Sequence, residues 1–375
     1  MRQGLKLNWT EADHLYMSRA LQLARRGLYT THPNPRVGCV IVRDKKIIAE
    51  GWHQQTGGAH AEVHALNIAG DKARGSDCYV TLEPCVHTGK TPPCTDAIIS
   101  AEIKRVIIAA TDPNPKVAGK GMDALNQAGI STEVGLMQTQ ARALNAGFEM
   151  RMRKGRPYVR CKLGMSLDGR TALANGESKW ITGDASRADV QRLRAQSSAI
   201  LTGINTVLAD DPSLLVRGID TLGRQPLRII LDRRLKIPKE AKLFSQPGET
   251  LVFTVYGCPD KERAMVKAGR PVIRIDGSGE KDFLQGVLQY LAKEKEVNEI
   301  LVESGPTLAG NLLQAGLVDE LVIYMAPVLL GQEAKALLNL AGIHSMDART
   351  KLEYTDTRMV GQDFRITLKP VKSEE

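Results

Sequence analysis

Aromatic residues make up only 4% of the 375-residue chain. Surfaces that stack bases of single-stranded nucleic acid are built from aromatics, so this scarcity counts against such a partner. No stretch approaches the roughly 18 uncharged apolar residues that a membrane helix needs. The opening MRQGLKLNWTEADHLYM has no apolar core of a secretory signal, which points to a cytoplasmic protein. Six cysteines without an export signal are not the mark of a disulfide scaffold. They read as cytosolic thiols, with a metal site among them. Internal repeats and low-complexity segments are also lacking.

What is present is ordinary globular composition, 42% hydrophobic and 25% charged. The length suits two domains, each burying its own core. The net charge of +9 favours anionic partners, phosphorylated small molecules or nucleic acid alike. The positive excess leans to the first 155 residues and includes Arg151, Arg153, Lys154 and Arg156. That cluster is read as a solvated helix end and linker in preference to a nucleic-acid patch.

The first part of the chain alternates between helical and strand patterns. Residues 10–26 have helical apolar spacing and stop at Gly27. Residues 38–51 read as a hairpin turning at Asp44–Lys46. A helix is predicted from near His60 to Gly70, a strand over 78–82, a helix over 94–101 and a strand over 105–110. Helices near 119–128 and 138–153 flank a short strand. Alternation of this kind predicts a layered α/β domain. The basic segment ending at Gly155 and Pro157 breaks it, giving domains 1–155 and 156–375. The second half is again α/β. Strands are predicted at 158–163, 199–203, 227–232, 250–255 and 271–275, helices at 184–196 and 282–295, and a strand at 298–303.

The sharpest chemical signal is His60-Ala61-Glu62, then Glu83-Pro84-Cys85, then Cys94. One imidazole and two thiolates are natural Zn²⁺ ligands, and three protein ligands leave a fourth position for water. Zinc lowers the pKa of bound water to about 7. Glu62, two residues past the histidine, is placed to move protons rather than to bind metal. H-x-E followed by P-C and a further Cys is the signature of zinc-dependent base and nucleoside deaminases. Here the Cys85–Cys94 gap is longer than that signature, and the loop carries His87 and Lys90. A closed structural zinc knot is the alternative, with His64, His87 or Cys78 as fourth ligand. Cys39, Cys78, Cys161 and Cys258 otherwise read as small hydrophobes in or beside strands.

The second half offers shorter pieces. Lys162–Arg170 is a strand running into a turn, with Lys162 a charged residue on an otherwise apolar strand. Glu177–Thr182, containing Ser178 and Trp180, precedes a helix carrying Arg194. Gly203–Pro212 contains Thr206 and Asp210. Val302–Asn311 is a Gly-rich strand-to-helix turn, whose exposed amides suit a phosphate. Taken alone, the Gly-rich turn reads more readily as structure, as do Trp180 as packing and the Asp210 cluster as a turn.

Taken together and in order, these motifs resemble the bacterial bifunctional deaminase–reductase family of riboflavin biosynthesis. The resemblance implies an α/β chain with two parts. The N-terminal part would be a cytidine-deaminase-like three-layer αβα domain, and the C-terminal part a dihydrofolate-reductase-like α/β domain. It implies hydrolysis of the 2-amino group of 2,5-diamino-6-(5-phosphoribosylamino)pyrimidin-4-one, then NADPH-dependent reduction of the ribosyl chain to ribityl. Carried onto this chain, His60, Cys85 and Cys94 hold one Zn²⁺ and Glu62 shuttles protons. Asn34, His53 and Lys90 would meet the deaminase substrate. NADPH would lie against Gly164, Trp180, Thr206, Asp210 and Gly305, Pro306, Thr307, Leu308, Ala309, Gly310 and Asn311. The reductase substrate would meet Ser178, Arg194, Leu214, Arg217 and Glu303. Lys162 would polarise the opened sugar or snorkel to solvent. The resemblance further implies a phosphorylated pyrimidine as partner, no nucleic acid, no membrane, and a homo-oligomer through the reductase domain. Rival readings are a nucleic-acid base deaminase, a non-catalytic nucleotide-binding protein with structural zinc, and a deaminase with an inactive second domain.

Overall fold

The computed structural model describes residues 9–86, 92–115 and 117–371. The chain divides between Lys154 and Gly155 into two compact units.

The first unit opens with α1 (Glu11–Arg25). Thr10 starts this helix through a capping box: its hydroxyl accepts the Asp13 amide at 3.1 Å, and the Asp13 carboxylate accepts the Thr10 amide at 2.9 Å. β1 (Gly38–Arg43) and β2 (Lys46–Trp52) form the expected hairpin. There follow α2 (Ala61–Ala69), β3 (Asp77–Val80), α3 (Cys94–Ser100), β4 (Arg105–Ile108), α4 (Lys120–Gln127) and β5 (Ser131–Val134). The sheet runs β2-β1-β3-β4-β5, with β3, β4 and β5 parallel and β1 antiparallel to both its neighbours.

Strand alternation sorts the core into two faces. Val40, Val42, Tyr79 and Ile107 pack on Met17, Ala20 and Leu21 of α1. Cys39, Ile41, Cys78, Val80 and Ile108 pack on Ala61 and Ala65 of α2, Ile98 of α3 and Leu125 of α4. The result is three layers, αβα.

One expectation is corrected here. Residues 138–153 are not a single helix but α5 (Gln138–Leu144) and α6 (Ala146–Lys154). The break falls at buried Asn145. Its Oδ1 accepts the Arg36 amide at 2.8 Å and its Nδ2 donates to the Arg36 carbonyl at 2.9 Å. A side chain pairing with distant backbone competes with helix continuation.

The second unit comprises β6 (Tyr158–Ser166), β7 (Arg170–Ala172), α7 (Asp184–Gln196), β8 (Ala199–Gly203), α8 (Ile204–Asp210), β9 (Leu227–Leu231) and β10 (Thr250–Thr254). It continues with α9 (Pro259–Lys267), β11 (Val272–Arg274), α10 (Glu280–Glu294), β12 (Glu299–Glu303), α11 (Pro306–Gln314) and β13 (Glu320–Ala326). β14 (Lys335–Ala336) pairs with β7, and β15 (Leu352–Val360) and β16 (Asp363–Pro370) form a terminal hairpin. The large sheet runs β11-β10-β9-β8-β12-β6-β13-β16-β15, parallel from β11 to β13 and antiparallel beyond.

Its central parallel strands are buried on both faces, as their near-continuous apolar runs require, while the edge strand β11 is only partly covered. One face packs on Phe283, Leu284, Leu288 and Leu312 of α10 and α11. The other packs on Val190 and Leu193 of α7, Val207 of α8 and Met265 of α9. β13 to β16 lie beyond the segments the sequence reading covered. No helix among the described residues is long and apolar enough to cross a membrane.

Candidate functional site

His60 is the N-cap of α2, Cys94 is the first residue of α3, and Cys85 lies in the segment after β3. Two helix starts and a strand exit on one edge of the sheet therefore converge. The His60 Nδ1 and both Sγ atoms lie within 4.8 Å of one another. Nδ1 stands 3.1 Å from Cys94 Sγ and 3.6 Å from Cys85 Sγ. Tetrahedral zinc, with bonds of about 2.0–2.1 Å to nitrogen and about 2.3 Å to sulfur, sets such donors roughly 3.6 Å apart. The donor set and its spacing fit zinc.

The two thiols share one proton. The Cys94 thiol and amide both donate to Cys85, the amide at 3.3 Å, and pull the Cys85 thiol down to about 4, with His60 adding to the effect. Cys94, the donor of the pair, is pushed up.

Glu62 lies in the first turn of α2 and is 3% exposed. Burial lifts its carboxyl above the usual carboxylate range, and His60, Cys85 and Cys94 all act on it. A carboxyl raised in this way suits proton transfer near neutral pH. His53 is buried, and its ring meets the His60 ring edge-on at 5.4 Å. Asn34 Nδ2 lies 3.1 Å from His53 Nε2. Lys90 and His87 lie outside the described residues. Among the described residues, neither His64 nor Cys78 joins the metal-capable group. Cys78 instead meets Cys39 in the strand core, Sγ to Sγ at 3.4 Å. Cys161 is buried as expected, but Cys258 is not a buried hydrophobe: it is exposed at the N-cap of α9.

In the second unit the candidate residues gather at the carboxyl edge of the parallel strands, where open α/β sheets bind ligands. Glu303 ends β12, in register with Lys162 of β6. Arg194 of α7 grips Glu303 with Nε at 2.6 Å and Nη2 at 2.9 Å, and its Nη1 donates to the Leu215 carbonyl at 2.9 Å. Burial pushes the half-buried Lys162 ammonium below its ordinary value, against the pull of Glu303. Trp180 is exposed beneath the Arg187 guanidinium at 4.5 Å, and Lys179 pairs with Asp210 at 3.1 Å. This ion pair ties the Ser178–Trp180 segment to the end of α8, which also carries Thr206. Gly164 lies on β6, in register with Tyr324 of β13. Leu214 is buried at a positive φ of 49°. Arg217 donates to the Ser213 hydroxyl at 2.8 Å.

Gly305 caps α11 without a side-chain partner, and Pro306 takes the first turn, which leaves the Thr307 and Leu308 end of the helix open to an anion, while the Ala309 amide already donates to the Gly305 carbonyl at 3.3 Å. Gly310 is small for a different reason. A Cβ there would collide with the Asn339 carbonyl. Asn339 also donates from its amide to the Pro306 carbonyl at 3.2 Å and from Nδ2 to the Thr307 hydroxyl at 3.0 Å. Asn311 donates to Glu280 at 3.4 Å.

Sequence reasoning missed Asn339, and it missed Asp363, whose carboxylate accepts the Gly183 amide at 2.8 Å and the Ser186 hydroxyl at 2.6 Å at the start of α7. Neither carries a local signal. The β15–β16 hairpin does carry one: Gly361-Gln362 between two alternating runs. Within the basic cluster, Arg153 pairs with Glu149 at 2.6 Å and Arg156 with Asp319 at 2.7 Å, so these charges are met from within the chain.

Residues 10–110 match the cytidine and deoxycytidylate deaminase zinc-binding region, and residues 157–366 match the RibD C-terminal domain. The riboflavin biosynthesis protein RibD of Escherichia coli is 49% identical, over 95% of this chain and 99% of that one. The chain belongs to the RibD family. A solved RibD from Acinetobacter baumannii is 46% identical, with a TM-score of 0.90 over 96% of this chain and 99% of its own. A diaminohydroxyphosphoribosylaminopyrimidine deaminase/5-amino-6-(5-phosphoribosylamino)uracil reductase from Thermotoga maritima is 33% identical, with a TM-score of 0.83 over 96% of this chain and 99% of its own. As a RibD-family chain, this is a riboflavin-biosynthesis protein with a deaminase domain followed by a reductase domain, and the two folds are those the resemblance implied.

Proposed function

We propose that a deaminase domain, residues 1–155, hydrolyses the 2-amino group of 2,5-diamino-6-(5-phosphoribosylamino)pyrimidin-4-one, and that a reductase domain, residues 156–375, reduces the product's ribosyl chain with NADPH. The convergence of His60, Cys85 and Cys94 beside buried Glu62 carries the first half of this reading. Zinc on the three donors would make water nucleophilic at neutral pH. Water oxygen bonds to the ring carbon, the C–N bond breaks and ammonia leaves. Glu62 takes the proton from water and delivers it to the departing nitrogen. Asn34, His53 and Lys90 orient the pyrimidine and its phosphate.

NADPH, when bound, would supply a hydride to the opened ribose, and a proton from solvent completes its conversion to a ribityl chain. Gly164, Trp180, Thr206, Asp210 and Gly305–Asn311 hold the cofactor. Ser178, Arg194, Leu214, Arg217 and Glu303 hold the substrate, with Lys162 beside the sugar. The carboxyl-edge grouping of Glu303, Lys162 and Arg194 supports this half. We also place the protein in the cytoplasm as a homo-oligomer joined through the second unit. β15 ends the large sheet and is exposed along nearly its whole length, with Tyr354 and Met359 presented outward. Sedimentation of a Tyr354→Lys/Met359→Lys variant as a smaller species than wild type would support that assembly; an unchanged species would refute it.

The deciding experiment is one incubation of the zinc-loaded chain with the diaminopyrimidine ribotide and NADPH, read by mass spectrometry. Exchange of amine for carbonyl plus addition of two hydrogens is the expected product. Deamination with NADPH untouched would overturn the reductase half. An unaltered ribotide would overturn the deaminase half, and incubation of the deaminated ribotide with NADPH then decides the reductase half.

A further inference from the structure

Glu83 belongs to the same short motif as Cys85 but takes no part in the metal-capable group. Its side chain is buried and faces backbone instead. Oε2 accepts the amides of Asp112 and Gly119, each at 3.1 Å, and Oε1 accepts the amide of Gly121 at 2.9 Å. Its own amide donates to the Ala110 carbonyl at 2.9 Å. One carboxylate thus closes two stretches of chain, the Asp112–Asn114 turn and the start of α4. Charge-assisted bonds of this kind are roughly twice as strong as neutral ones.

Gly121 shows how tight the closure is. A Cβ there would collide with the Pro84 carbonyl, so the start of α4 rests directly on the peptide that precedes Cys85. The turn also lies beside the segment that carries Cys85, since the Ala110 carbonyl accepts the Glu83 amide and Glu83 accepts the Asp112 amide. Burial pushes the Asp112 carboxyl up to about 7, and the charges of Glu83 and Cys85 add to that push. Cys85 itself is tethered independently of Glu83. The Thr95 amide and hydroxyl donate to its carbonyl at 3.3 and 3.2 Å, and the Cys94 amide donates to its Sγ at 3.3 Å.

We propose that Glu83 is a positioning residue of the deaminase pocket: its carboxylate clamps the Asp112–Asn114 turn and the start of α4 against the Cys85 peptide, and so governs capture of the pyrimidine. The inference rests on the deaminase reading of the first unit. Replacing one carboxylate oxygen by an amide nitrogen sets N–H against N–H and releases one side of the clamp. The metal donors keep their own tethers.

The test is Glu83→Gln in the full chain, with Glu83→Asp as a milder variant that keeps the charge. For Glu83→Gln we expect faster amide hydrogen exchange at Asp112, Gly119 and Gly121, unchanged zinc stoichiometry, and a KM for the ribotide raised roughly tenfold with kcat within about twofold. Glu83→Asp should fall between it and wild type, and it keeps the test alive if Glu83→Gln does not fold. Unchanged exchange at the three amides would overturn the proposal. Loss of zinc would overturn it too, because Glu83 would then act through Cys85. So would a fall in kcat at constant KM. The exchange readout needs no turnover, so a wild-type chain inert toward the ribotide would sink the proposed reaction while the clamp was still decided.

Discussion

Asn34 donates from Nδ2 to His53 Nε2 across 3.1 Å, and on the far side of the ring His53 Nδ1 lies 3.2 Å from the Ala59 carbonyl. A carbonyl only accepts, so the ring proton sits on Nδ1 and Nε2 is left to accept from Asn34. Burial favours the same neutral ring. The pair therefore fixes which side of the Asn34 amide is left for the pyrimidine in the proposed reaction.

Removing that amide should weaken capture and leave the metal in place. For Asn34→Ala the KM for the ribotide is expected to rise about tenfold with zinc content unchanged, measured by steady-state kinetics and metal analysis. Nitrogen NMR of wild-type His53 should show the Nδ1-protonated tautomer; an Nε2-protonated ring would contradict the pairing.

Glu62 and the metal should separate cleanly. Glu62→Gln keeps the shape and removes the proton carrier, so kcat for deamination should fall by about 10²–10⁴-fold with zinc still bound. Chelation should abolish deamination and leave NADPH oxidation on the deaminated ribotide intact. Full deaminase activity in a metal-replete Glu62→Gln protein would rule out the proton-transfer role.

Asp13 should make the first unit acid-labile. Burial raises its carboxyl, but hydrogen bonds from the Thr10 hydroxyl at 2.6 Å and the Tyr79 hydroxyl at 2.6 Å, with Arg105 nearby, outweigh it and hold the group at about 2. A depressed folded-state pKa stabilises above the unfolded value and loses that stabilisation as pH falls through the folded one. On the order of 2 kcal/mol should therefore disappear between about pH 4 and pH 2. Denaturant unfolding of wild type and Asp13→Asn across this range checks it; parallel curves would contradict it.

Gly310→Ala should disturb the reductase at the Gly305–Asn311 turn proposed to hold the cofactor. The new Cβ meets the Asn339 carbonyl and forces the segment around it off the start of α11. A several-fold higher KM for NADPH and a lower melting temperature are expected, with deamination unaffected. NADPH binding equal to wild type by titration would show that the close approach is irrelevant to the cofactor.

Much of this chain is written locally. Apolar spacing and the Thr10–Asp13 cap mark α1, alternation on either side of Asp44–Lys46 marks the first hairpin, and α7 is legible from end to end. The His60, Cys85 and Cys94 grouping is legible because zinc accepts few side-chain types and their order along the chain is itself a signature. Such signals reach only a few residues, since they rest on helix and strand periods and on the donors a metal takes.

The tertiary structure decided what depends on residues far apart meeting. Asn145 ends a helix because Arg36 backbone lies beside it, Glu83 stays out of the His60–Cys85–Cys94 group because three distant amides face its carboxylate, and Arg194 is committed to Glu303 across the end of a sheet. Asn339 and Asp363 act on helix starts that no local pattern connects to them. Short-range preferences choose helix or strand, but a buried polar group settles its partner only after the whole chain has packed, because it must then satisfy its hydrogen bonds with whatever backbone or side chain the fold has brought to it.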